Sequence, residues 1–74
     1  MAYYVCLGQR CINDAKAQGR EGEVRAFAAK IEADQHTRGC DHFLPTPFIK
    51  KSFGRSHRLL GYEHPDGDDV VVVF

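Results

Sequence analysis

The sequence predicts a small α+β protein with the element order β-α-α-β-β-β. Three observations carry that expectation. An apolar stripe at helical spacing occupies the first half of the chain. Three β-branched or aromatic runs, separated by glycine-containing turns, occupy the second half. A further run of the same kind stands at the start. Strands gathered on one side of the sequence and helices on the other point to helices packed on one face of an antiparallel sheet. With 74 residues, the chain is a single small domain, residues 1–74. Its core is thin, because so short a chain hides only about 60% of the surface its unfolded form exposes.

Ala2–Leu7 (AYYVCL) reads as a strand ended by Gly8. Tyr3 and Tyr4 straddle its two faces, one toward the core and one toward the surface. Gln9–Gln18 reads as a short helix with Ile12 and Ala15 on its apolar side, closed by Gly19. Val24, Phe27, Ala28 and Ile31 fall at i, i+3, i+4 and i+7, the stripe of an amphipathic helix. Glu21 and Glu23 in its first turn suit the helix dipole, and the helix should cover about Glu21 to Gln35. The connector HTRGCDHFLPTP reads as irregular, since Pro45 and Pro47 keep the residues before them out of helix. Phe48–Phe53 and His57–Glu63 read as strands around a turn at Gly54–Ser56. HPDGD reads as a hairpin turn, and Asp69–Phe74 as a last strand. That strand has no polar alternation, so either both its faces are covered or one awaits a partner. The meander leaves the first strand to join the sheet beside the last.

Ten basic and ten acidic side chains give a net charge of zero, which excludes a globally basic nucleic-acid binder. The charge is segregated, however. His42 to Tyr62 holds no acid and carries Lys50, Lys51, Arg55 and Arg58; Glu63 to Asp69 holds no base and carries Glu63, Asp66, Asp68 and Asp69. Cations on two adjacent strands and their turn raise local affinity for phosphate whatever the total charge. Phe48, Phe53 and Tyr62 are interleaved with them, as suits stacking of single-stranded RNA. Solvated residues on exposed strands are the competing reading, since edge lysines also oppose aggregation.

These segments resemble the RelE/ParE-like toxins of bacterial toxin–antitoxin systems. MAYYVCLGQRCINDA is similar to the first strand and helix start of RelE-type toxins, and Glu21–Gln35 sits where their second helix sits. FIKKSFGRSHRLLGYEHPDGDDVVVVF is similar to their three-strand meander, with HRLLGYE at the arginine-bearing central strand. The resemblance implies a ribosome-dependent mRNA endonuclease that works through lysines and arginines on a concave sheet face. Carried onto this chain, it makes Arg58 the central-strand arginine and Lys50 and Lys51 the basic strand before it. The family spaces two lysines by one residue. Here they are adjacent, so alternation turns only one toward RNA unless a bulge intervenes. RelE-type toxins continue past this last strand and supply a further arginine and a tyrosine or histidine. The resemblance therefore implies that His57 or Tyr62 substitutes, that a partner supplies the chemistry, or that the protein is no nuclease. ParE-like members instead act on DNA gyrase. An antitoxin, the ribosome or a host protein assembly, including one met by a phage or mobile-element inhibitor, are the partners expected; a homodimer through the C-terminal strand is a further one.

Other constellations point elsewhere less strongly. Cys6, Cys11, His36, Cys40 and His42 are chemically suited to zinc, but their spacing matches no common zinc module and no metal or other cofactor is expected. Cys40 and His42 could be read as a nucleophile and its base, yet residues two apart in a loop are seldom arranged as a dyad. Asp66, Asp68 and Asp69 lack the spacing of a calcium loop. No apolar run is long enough to span a membrane, and an odd number of cysteines without a leader-like start suggests free thiols in the cytoplasm.

Overall fold

A computed structural model describes residues 1–74. The elements are β1 (Tyr3–Cys6), α1 (Gln9–Ala17), α2 (Glu21–Asp34), β2 (Asp41–His42), β3 (Phe48–Phe53), β4 (His57–Asp66) and β5 (Asp69–Val73). The α+β class and all six expected elements are present. The two-residue β2 within the connector is an addition, and β4 runs on through Pro65 to Asp66, where a turn had been expected.

The five strands form one sheet in the order β1-β5-β4-β3-β2. The sheet is mixed, which corrects the expectation of an antiparallel one: β1 runs parallel to β5, pairing Tyr3 with Val70 and Cys6 with Val73. The cause is topological. The excursion through both helices returns the chain to the starting end of the sheet, the kind of long crossover that parallel pairing requires. The two reversals from β3 through β4 to β5 then leave β5 running in the direction of β1.

β5 is thus an interior strand, with β4 on one side and β1 on the other. Val70–Val73 offers no free edge, so a homodimer made by adding a strand to β5 is closed off. The rim beside β1 is occupied too. The Gln35 side chain accepts a hydrogen bond from the Tyr3 N–H at 2.9 Å and donates to the Tyr3 carbonyl at 3.2 Å, while Glu32 accepts from the Val5 N–H at 3.0 Å. Gln35 adopts the left-handed conformation that ends α2, φ 59°, and this places its amide against the strand.

Both helices lie on one face of the sheet. Ala15, Val24 and Ile31 join Ile49, Phe53, Leu59, Val72 and Phe74 in a single buried cluster. Phe27 meets Phe53 edge-on at 5.9 Å and Phe74 at 6.3 Å. Gly61 permits the arrangement: a Cβ there would stand 2.3 Å from the Val73 carbonyl oxygen and 2.5 Å from the Phe74 ring.

Candidate nucleic-acid interface

Alternation along the strands, read through their register, decides where each candidate residue points. On β4, His57 and Leu59 are buried toward the helices, whereas Arg58, Leu60 and Tyr62 are exposed on the other side. On β3, Lys50 stands opposite Leu60 and Lys51 opposite Leu59. The adjacent lysines therefore face opposite ways, with no bulge to reconcile them. Lys51 is on the helix side, its ammonium 5.0 Å from the centre of the Phe27 ring and 5.9 Å from that of Phe53. Lys50 is on the open side, 3.7 Å from Asp41 on β2 and 5.9 Å from the Phe43 ring.

The structure thus brings Lys50, Arg58 and Tyr62 onto one face and sets Lys51 and His57 on the other. On the open face Lys50 and Arg58 are diagonal neighbours, because Arg58 pairs with Ser52 two residues along β3. Diagonal positions lie about 7–8 Å apart, within reach of long side chains. Phe48, opposite Tyr62, stands on the same face beside them, while Tyr4 lies farther off on β1, level with His64 through Val71. Tyr4, Phe48 and Leu60 are 52%, 56% and 68% exposed. Neither helix lies on this face, and Phe43 of the connector flanks it, lining a shallow depression with Phe48, Leu60 and Tyr62. Leu60 is the surface residue of this face that the sequence reading missed, and Phe53, expected among the stacking aromatics, is instead buried in the core on the helix side. The period-two pattern anchored on Leu59 is the signal that locates Leu60.

Arg58 also borders a groove between α1 and the beginning of β4. β5 pairs with β4 only from Tyr62 onward, so the stretch His57–Leu60 has no strand on that side. Gly8, Arg10 and Phe74 line one end of the groove, Gln18, Arg55 and Ser56 the other, and Asp14, His57 and Arg58 both. None of Arg10, Arg55 and Arg58 is engaged in an ion pair. The His57 ring packs beside Phe53 at 6.1 Å, and its buried Nε2 has no hydrogen-bond partner, an uncommon state for a buried polar atom.

A second polar cluster, not foreseen from spacing, joins the connector to β4. The Thr37 hydroxyl donates to Glu63 and lies 2.9 Å from His42 Nε2. With its proton given to Glu63, the hydroxyl oxygen can only accept from His42, so His42 Nε2 is the donor of that pair and no base for Thr37. Burial pushes the Cys40 thiol up to about 11, which holds it as an unreactive thiol at neutral pH. Cys11 is raised as well, by burial and by the Asp14 carboxylate. No three His, Cys, Asp or Glu side chains gather as a metal site. No helix is long and apolar enough to cross a membrane.

No family model, curated protein or solved structure matches this chain.

Proposed function

We propose that the chain is a RelE/ParE-like domain that engages single-stranded RNA, on the ribosome, through the open face of its sheet. The observation that carries this reading is the placement of Arg58 and Lys50 as diagonal cations beside Phe48 and Tyr62 on the open face. Aromatic rings there stack bases, and the cations pair with the phosphates between them. The groove extends the cationic path, since Arg10 and Arg55 border it without carboxylate partners and Arg58 belongs to both surfaces. Cleavage of mRNA is the activity that the resemblance implies. In that chemistry Arg58 and Arg55 would neutralise a phosphate, and His57 and Asp14 share the groove wall with them. Lys51, turned toward Phe27, has no part in it.

Fluorescence anisotropy with a labelled single-stranded RNA tests binding. Arg58→Ala should weaken it uniformly across sequences and lower the slope of log K against log salt by about 1. Tyr62→Ala should lose roughly 1–3 kcal/mol of stacking. A wild-type chain that binds no RNA overturns the reading. Incubation with translating ribosomes tests cleavage separately: mRNA is cut by wild type and left whole by Arg58→Ala. Absence of cutting by wild type removes the nuclease step and leaves binding to stand on the anisotropy.

A non-catalytic inhibitor of a protein assembly is the second reading. Leu60, the most exposed aliphatic side chain of the sheet, favours it, since a base stack has less use for it than an apolar protein surface. A partner retained after RNase treatment and released by Leu60→Ser supports this second reading against the first.

A further inference from the structure

We infer that the open sheet face is also a self-association surface, on which two copies stack face to face about a twofold axis passing over Tyr62. The outward side chains of β4 are, in order, Arg58, Leu60, Tyr62, His64 and Asp66, as alternation and the register with β3 and β5 require. The series is symmetric in position and opposite in charge about Tyr62. A cation stands at one end, a carboxylate at the other, about 26 Å away at 3.3 Å per residue.

Two twofold arrangements can lay one β4 over another. With the axis along the strands, Arg58 meets Arg58 and Asp66 meets Asp66. With the axis across the strands, the second β4 runs antiparallel, Arg58 of each copy lies over Asp66 of the other, and the match is made twice. Charge therefore selects the second arrangement. Both groups are free to make it, as neither Arg58 nor Asp66 has an ion-pair partner within its own chain.

The middle of the face supplies the burial. Leu60, Phe48 and Tyr4 are each more than half exposed, and Tyr62 is 40% exposed. Val71 and Val73, opposite His64 and Tyr62, fill the gap between Tyr62 and Tyr4. Stacked sheets keep their strands within about 30° of each other, an angle that preserves the end-to-end charge match. The interface is isologous and closes at two.

The dimer stands on this geometry alone. Its consequence for RNA rests on the function proposed above: the second copy covers Arg58 and Tyr62, so RNA and the dimer exclude one another.

Sedimentation equilibrium of the full chain, from micromolar to millimolar concentration, is the test. The mass should rise from one chain to two and stop there. Arg58→Glu and Asp66→Arg should each weaken the dimer at least tenfold, and the double variant should regain most of that loss. Leu60→Ser should abolish it. Circular dichroism establishes that each variant is folded. A wild-type monomer throughout, growth beyond two, or a double variant no tighter than the singles overturns the inference. RNA binding is read separately by anisotropy. If RNA fails to bind while the dimer forms, the proposed function falls and the dimer remains. If RNA binds and the dimer is absent, the reverse holds.

Discussion

Gly61 shows how one residue can be fixed from outside its own strand. Its φ makes no special demand; what excludes a side chain is the Val73 carbonyl and the Phe74 ring, 2.3 and 2.5 Å from the place a Cβ would take. Both belong to the end of β5, so an added methyl must lift that end away from β4 or displace the Phe74 ring from Phe27. Gly61→Ala should therefore destabilise the fold by about 1–3 kcal/mol, the range of an overpacked core, read as a lower urea midpoint with an unchanged m-value. An exposed site elsewhere on β4, such as Leu60→Ala, should move the midpoint far less. Gly54 is fixed by a different requirement, a left-handed φ of 64° with the Arg20 guanidinium close beside it.

At the scale of elements, periodicity made the helices and the long strands legible. Val24, Ala28 and Ile31 are buried where helical spacing put them, and Tyr3 packs against the core while Tyr4 is exposed. The direction of β1 was not legible, because local pattern is the same for parallel and antiparallel pairing. Nor was β2, two exposed residues whose strand state is set by pairing with Lys50 and Ile49. The candidate cations were visible as a cluster in sequence, but their division between faces came from Lys50 and Lys51 being adjacent. The Gln35 clamp on Tyr3 was hidden for a further reason, since it joins side chain to backbone across 32 residues. That clamp predicts a specific loss. In Gln35→Ala, the Tyr3 amide should exchange with deuterium at least tenfold faster while amides of β4 keep their protection, as expected if the edge strand opens locally. Uniform acceleration across the sheet would assign Gln35 to global stability instead.

For the molecule as a whole, pH links the thiols to folding. Cys40 is 7% exposed, and burial lifts its pKa from 9.0 to about 11. The folded state thus resists the thiolate that the unfolded chain forms readily. The stabilising contribution is complete below about pH 9 and is lost as pH rises from there through about 11. Cys11, also raised, acts in the same direction. Urea midpoints should fall over that window in wild type, and should fall less in Cys40→Ala, in which the other alkaline groups still titrate. Parallel curves for the two proteins would show that Cys40 is not linked to folding.

The pairing of β1 with β5 sets an order of events during synthesis. Tyr3 meets Val70 and Cys6 meets Val73, and the Phe74 N–H and carbonyl bind Cys6 and Gly8. β1 is therefore without its neighbouring strand until β5 has left the ribosome. Loop closure over nearly the whole chain must come before this contact stabilises anything. In the interval β1 and the β5 side of β4 both present unpaired backbone, while α1, α2 and the β3–β4 hairpin need only local contacts. The nascent chain passes through a state open to capture by another strand, and the arrival of Val70–Phe74 ends it.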